Sequence, residues 1–329
     1  MLYPRLQDVS RLILVTLSLV LLSACSAHQQ DALLQKVVDM GRDSAGLSVH
    51  SQPILDIDMH YLHRQGDGPT VVLVHGFSAN KDAWLRFADA LPDTMPLLIP
   101  DLAGHGDSSE SDDYTLMRQS ERLHALFDAL ELPAVHIIGS SMGGAISTIY
   151  AIQHPERVLS LGLMNAAGID GEQESEYFQL LATGVNPLIA TDNQSFDDRW
   201  QLLMSQPPFI PWPLSSAIRR QTIANADLNK RIFADMLASR EQLTEQGFEQ
   251  QLSERVTMPV YIAWGEEDRV LDVSAVRAFQ QHLPHAQAVI YSEVGHVPML
   301  EIAELSAHDY QRFIQGVNDA NTISAVTQP

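Results

Sequence analysis

Apolar residues along the chain fall into two alternating patterns. Short continuous runs, Val71–Val74, Leu97–Ile99, Val135–Ile138, Val158–Met164, Val260–Trp264 and Ala288–Tyr291, have strand length. Between them lie stretches with helical spacing: Lys81–Leu91, Thr115–Leu130, Gly144–His154, Val273–His282 and Ile302–Gly316. Uninterrupted apolar strands are buried on both faces, which marks a parallel sheet covered by helices. Right-handed crossovers then leave a doubly wound, mostly parallel α/β sheet as the simplest architecture. Ahead of it, Gln29–Arg42 predicts a short amphipathic helix, and Ile54–Asp58 with Met59–Arg64 predicts an opening hairpin.

One segment breaks the rhythm. Between Gly171 and Ser253 there is no buried-strand pattern, only helical, polar stretches interrupted by Pro187, Pro207, Pro208, Pro211 and Pro213. A stretch that long inside a compact domain is a subdomain rather than a loop. The expected organisation is therefore a signal-like segment over 1–25, a helical lead-in over 26–53, and a core over 54–170 and 254–317. A helical cap occupies 171–253, and a polar, frayed tail closes the chain over 318–329. Neither an internal repeat nor a low-complexity stretch occurs.

Composition narrows the function classes. The 329 residues include 45% apolar and 19% charged residues, an ordinary globular balance that excludes disordered and collagen-like chains. A net charge of −21 repels phosphate backbones and argues against nucleic acid as a partner. A single cysteine, Cys25, excludes a disulfide framework and a zinc site built on cysteines. That cysteine follows Arg5 and Arg11, an apolar run from Leu12 to Leu22, and the small residues Ser23 and Ala24. Positive start, short apolar core and small residues describe an export signal, and the run is too short to span a bilayer comfortably. Leu22-Ser23-Ala24-Cys25 resembles the bacterial lipoprotein box. The resemblance implies lipidation of Cys25 and a place in the cell envelope, held to the membrane by acyl chains. Ser26, rather than Asp, after the cysteine implies the outer membrane. An uncleaved anchor and a plain signal peptide of a secreted protein are the other readings.

The chemistry concentrates in three places. Gly139-Ser140-Ser141-Met142-Gly143 ends an apolar strand and opens a helix. Gly-x-Ser-x-Gly in that context is a sharp turn that lifts a serine hydroxyl above the sheet. A nucleophilic serine needs a base, and the base an orienting acid, in the chain order Ser, acid, His. After the strand Val260–Trp264 comes Gly265-Glu266-Glu267-Asp268, where Asp268 is the preferred acid, with Glu266, Glu267 and, more distantly, Asp170 as fallbacks. Of thirteen histidines, His296 alone lies after the last strand and before the last helix, so it is the base. Two backbone N–H groups should hold the developing oxyanion. One is that of Met142, after the serine; the other is that of Phe77, in the loop His75-Gly76-Phe77-Ser78. His75 is expected to shape that loop, since it precedes the serine and the fold's order places the base last; a direct catalytic role is the other reading.

Taken together, His75-Gly76-Phe77, Asp101-x-x-Gly104-His105-Gly106-x-Ser108, Gly139 to Gly144, Gly265-x-x-Asp268 and Gly295-His296 resemble the α/β-hydrolase fold family from about Ile54 to Phe313. A narrower similarity, to bacterial lipases of cold-living genera and to α/β-hydrolase-domain monoacylglycerol lipases, rests on further segments. These are Asn80-Lys81-Asp82, Asn186-Pro187-Leu188, Pro207-Pro208-Phe209-Ile210-Pro211 and Val294 to Met299. The chain departs from that pattern at Glu267, where a lysine often precedes the final Asp. The resemblance implies hydrolysis of carboxylic esters, above all acylglycerols, with no metal or organic cofactor. Carbon–carbon hydrolysis on the same serine, or ligand binding without turnover, are the alternatives. Epoxide hydrolases and dehalogenases carry Asp where Ser141 stands. In the cap, Phe209 and Trp212 are candidates for substrate contact, as an acyl pocket or a lip touching lipid; packing onto the core is the other reading. Oligomeric state, acyl-chain length and regioselectivity are not legible.

Overall fold

In the computed structural model, which describes residues 26–327, eight strands form one sheet. They are β1 (Ser48–Ile54), β2 (Ile57–Arg64), β3 (Val71–Val74), β4 (Leu97–Pro100), β5 (Val135–Ser140), β6 (Val158–Met164), β7 (Val260–Gly265) and β8 (Gln287–Tyr291). Their spatial order is β1-β2-β4-β3-β5-β6-β7-β8. From β4 onward every pairing is parallel, while β1/β2 and β2/β4 are antiparallel. The doubly wound, mostly parallel α/β fold is the one expected.

Helices cover both faces. In chain order they are α1 (Ala27–Ser44), α2 (Leu85–Asp89), α3 (Leu116–Ala129), α4 (Met142–Gln153), α5 (Glu176–Ala182) and α6 (Asn193–Leu203). Then follow α7 (Leu214–Ala224), α8 (Ala226–Glu245), α9 (Phe248–Arg255), α10 (Ala275–His282), α11 (Pro298–Glu301) and α12 (Ala303–Thr327). Strand alternation divides the apolar side chains between two cores. Val72, Val74, Leu98 and Ile137 join one with Phe127, Ile149 and Trp264. Val71, Leu73, Leu97, Ile99 and Ile138 join the other with Trp84, Phe87 and Tyr310. This is the period-two signature of a sheet buried on both sides. Helices α5 to α9 lie between β6 and β7 and form the helical insertion.

The first helix starts where its cap dictates. The Ser26 hydroxyl accepts from the Gln29 N–H, and the Gln29 side chain accepts from the Ser26 N–H at 2.8 Å. This reciprocal pair satisfies two N–H groups that have no partner inside the helix.

Three expectations are corrected. The hairpin turns at Leu55-Asp56, not at Asp58-Met59, and its first strand starts at Ser48. The sheet therefore begins six residues earlier than 54, inside the expected lead-in. The reason is that β1 is a polar, exposed edge strand carrying Pro53, with no apolar run to reveal it. The strand over Ala288–Tyr291 is also an edge, exposed along one side. At the C-terminus, α12 continues to Thr327 where a frayed tail was expected. No proline interrupts it, and Asn318 is tied to the core through its side-chain oxygen, 3.1 Å from His136 Nε2. The segment ending at Cys25 lies outside the described residues.

Candidate active site

Strand order reverses at the β3/β5 junction, since β4 lies on one side of β3 and β5 on the other. Such a switch opens a crevice at the carboxyl ends of the strands. Val74 stands opposite Gly139 in the β3/β5 register. The loop after β3 therefore faces the turn after β5.

The turn after β5 is backbone engineering. Ser141 has φ 53° and ψ −122°, a region that side-chain-bearing residues rarely enter. Surrounding bonds hold it there. Its N–H donates to Met164 O at 3.1 Å, and its carbonyl accepts from Gly144 at 2.9 Å and Ala167 at 3.0 Å. The glycines admit close approach: a Cβ on Gly143 would lie 2.4 Å from Val74 O, and one on Gly139 would lie 2.1 Å from Gly143 O. Thus β5, α4 and β3 pack tighter than any side chain allows.

Opposite, the His75–Ser78 loop is fixed from three directions. An N–H can only donate, so His75 Nε2 accepts from Leu102 N–H at 3.0 Å, and Nδ1 carries the proton to Gly76 O at 2.8 Å. His105 Nε2 accepts from Ser78 N–H at 3.3 Å. From the helical insertion, Asn229 on α8 donates to Ser78 Oγ at 3.0 Å, and Arg199 on α6 reaches Ser78 O at 3.4 Å. Below, buried Lys81 pairs with Asp101 at 2.6 Å and Asp107 at 2.5 Å. Burial opposes the Lys81 charge, but the carboxylates outweigh it and its pKa rises. The result brings Gly76 against Ser141, where a Cβ would sit 3.0 Å from Ser141 Cβ. Neither Phe77 N–H nor Met142 N–H donates to another described residue.

His296 and Asp268 meet beyond the carboxyl ends of β8 and β7. His296 Nδ1 is 2.8 Å from Asp268 Oδ2, and both residues are buried. Asp268 Oδ1 accepts from Val270 N–H at 2.8 Å and Leu271 N–H at 3.0 Å, while Asn165 Nδ2 donates to Oδ2 at 2.6 Å. The carboxylate is fully engaged and aimed. Among the described residues the Ser141 hydroxyl makes no hydrogen bond. It opens instead, with Phe77 and Met142, onto a cavity of about 520 Å³. Tyr177, Phe178, Leu188, Phe233 and Phe248 give that cavity an apolar wall, and the Asp170–Arg240 ion pair stands at its polar side. A larger polar depression of about 770 Å³, beside Asp56, Arg118 and Arg231, holds none of these groups. No group of His, Cys, Asp and Glu side chains among the described residues is arranged to hold a metal ion.

Two of the three fallback acids are engaged elsewhere: Glu267 accepts from Ser205 Oγ, and Asp170 pairs with Arg240. Phe209 and Trp212 do not line the cavity; they are 90% and 43% exposed. The loop is flanked by prolines, and the acyl-pocket reading of these two residues finds no support in the lining of this cavity. Four residues escaped the sequence reading: Asn165, Arg199, Asn229 and Glu301. Glu301 Oε1 accepts from Gly295 N–H at 2.9 Å and Oε2 from Ser205 N–H at 2.8 Å, which fastens the His296 loop to the end of α6. Only Asn165 left a trace, as a polar residue directly after a buried strand.

The buried histidines make the protein acid-sensitive. Burial pulls His75 down to about 4, His105 to about 3 and His136 to about 4. Between those values and the ordinary 6.5, the unfolded chain binds protons that the folded chain refuses. Their stability is fully present above pH 6.5 and is lost as the pH falls, by about 1.4 kcal/mol per pH unit for each histidine. The urea midpoint is expected to drop between pH 7 and pH 5; equal midpoints would refute this account.

The sequence matches the family described as alpha/beta hydrolase fold over residues 69–302. It is 32% identical to Lipase 3 of Moraxella sp. (strain TA144), covering 86% of this chain and 90% of that one. It is 28% identical to monoacylglycerol lipase ABHD6 of Rattus norvegicus, covering 78% of each. The crystal structure of a membrane phospholipase A, a bacterial virulence factor, superposes with a TM-score of 0.83 at 36% identity, covering 94% of this chain and 99% of that one. With the sheet order, the strained serine turn and these matches, the chain belongs to the α/β-hydrolase fold family.

Proposed function

We propose that the protein is a serine hydrolase of lipid carboxylic esters, acting best on acylglycerols through Ser141, His296 and Asp268. The observation that carries this reading is Ser141 at φ 53° on the wall of an apolar cavity, which Phe77 and Met142 also line with backbone N–H groups that donate to no described residue. In the reaction, Ser141 Oγ attacks the acyl carbonyl as His296 Nε2 takes its proton. Asp268 holds the imidazole tautomer and the imidazolium that forms. The Phe77 and Met142 N–H groups bind the oxyanion. The C–O bond to the alcohol breaks, and His296 returns the proton to that leaving oxygen. Water, activated by His296, then frees the fatty acid from Ser141. The apolar cavity would take the acyl chain.

Turnover of p-nitrophenyl esters from acetate to palmitate tests the reading. Rates are expected to peak at medium or long chains. A peak at acetate would demote the protein to a short-chain esterase, and no turnover on any ester would favour carbon–carbon hydrolysis or ligand binding. Likeness to the phospholipase A structure favours a second reading, in which the acyl ester belongs to a phospholipid. Monoacylglycerol and phosphatidylcholine offered side by side separate the two.

We also propose attachment to the outer membrane through lipidated Cys25. Loss of envelope association in Cys25→Ser would support it, and unchanged fractionation would oppose it.

A further inference from the structure

We propose that the loop from Gln206 to Pro213 is a lip that rests on a bilayer leaflet, with Phe209 and Trp212 entering the lipid. The inference rests on the lipid-ester and anchoring reading above. Three observations carry it. First, Phe209 is 90% exposed and Trp212 43% exposed, on a loop stiffened by Pro207, Pro208, Pro211 and Pro213. A large apolar side chain left in water on a rigid loop loses burial that a lipid phase would restore. Second, the nineteen residues from Trp200 to Ile218 include no ionisable side chain, in a chain that is 19% charged. Nothing on the loop opposes transfer into a headgroup layer, and Trp and Phe favour that layer.

Third, the lip adjoins the start of α1, which the apolar N-terminal segment precedes in the sequence. That segment, 25 residues with an apolar run from Leu12 to Leu22, leads directly into α1. Arg220 on α7 donates to Ala27 O at 3.1 Å and to Asp31 Oδ1 at 2.7 Å, at the start of α1. Helix α7 begins at Leu214, six residues before Arg220, or about 9 Å along the axis. The lip and the start of α1 are therefore neighbours, and a membrane that holds one lies within reach of the other. Helix α1 also keeps Leu33, Val37 and Met40 exposed at i, i+4 and i+7, an apolar stripe on its surface. The base of the lip is pinned, since Glu301 accepts from Ser205 N–H and Gln206 N–H at 2.8 and 3.0 Å.

The full chain reconstituted into vesicles of brominated phosphatidylcholine tests the lip. Of the four tryptophans, Trp84 and Trp264 are fully buried and Trp200 is half-buried, so the part of the bromine quenching that Trp212→Phe removes reports on Trp212. Quenching relative to unbrominated vesicles is expected to fall about twofold or more in Trp212→Phe, and to weaken in Phe209→Asp as a charge enters the tip. Equal quenching in wild type and Trp212→Phe, or none in either, would overturn the proposal. Turnover of a soluble acetate ester, recorded on the same vesicles, keeps the two readings apart. Turnover without Trp212 quenching sinks the lip alone; Trp212 quenching without turnover sinks the ester-hydrolase reading and leaves the lip standing.

Discussion

Replacing Ser141 by alanine is expected to lower ester turnover by roughly 10⁶-fold while leaving the fold intact. The proposed acyl-enzyme has no other oxygen to form on. The Phe77 and Met142 N–H groups and the cavity would remain, so a residue of about 10³-fold over the uncatalysed rate should persist. Stability adds an independent check. At φ 53° and ψ −122° Ser141 occupies backbone space that costs on the order of 1–3 kcal/mol for a residue with a Cβ. Alanine keeps that cost and glycine relieves it, less the roughly 0.5–1 kcal/mol that glycine loses in chain entropy. Ser141→Gly should therefore be inactive yet more stable than Ser141→Ala by about 1 kcal/mol, read from urea unfolding. A Ser141→Ala protein within tenfold of wild-type kcat would remove the serine from the chemistry. Equal stability of the two variants would remove the strain.

Asp268→Asn is expected to lower kcat by about 10⁴-fold with little change in KM. The carboxylate accepts from His296, Asn165, Val270 and Leu271. An asparagine can keep the two backbone donors on its carbonyl oxygen. Its amide then faces His296 Nδ1 as a donor, which puts the imidazole proton on Nε2 and leaves it unable to accept from Ser141. The same amide also meets the Asn165 amide donor to donor, so some stability goes with the rate. Glu267→Gln, whose parent carboxylate serves Ser205, should stay within about threefold of wild type. Should Asp268→Asn keep kcat within tenfold while Glu267→Gln loses it, the acid has been misassigned.

Much of this was legible because the determinants are local. A serine turn between β5 and α4 needs small residues at 139, 143 and 144, and those stand within six positions of one another. Asp268 and His296 each follow an apolar run of strand length, so their shared edge could be foreseen. Local signals fail where partners are distant in sequence. Asn165 meets Asp268 across 103 residues, and Glu301 meets Ser205 across 96. No window on the chain contains both members of either pair. The β1 strand failed for another reason: an exposed, polar edge has no buried face to leave a pattern. Phe209 and Trp212 read as acyl pocket, lipid-touching lip or core packing alike, because large apolar residues usually seek cover and a loop broken by prolines has no periodicity to choose among the three.

Arg199 and Asn229 have a consequence for the cap as a unit of exchange. Both belong to the insertion, yet both end on Ser78, next to the N–H assigned to the oxyanion. Burial leaves Arg199 without a described carboxylate partner and pulls its pKa down to about 10, so its cation depends on carbonyls such as Ser78 O and Leu188 O. A chimera that grafted a relative's cap to import its chain-length preference would leave Ser78 facing foreign side chains. Such grafts should keep specificity and rate together only when residues 199 and 229 travel with the loop they hold. In this protein the cap is less a detachable lid than one wall of the chamber whose other wall is the core.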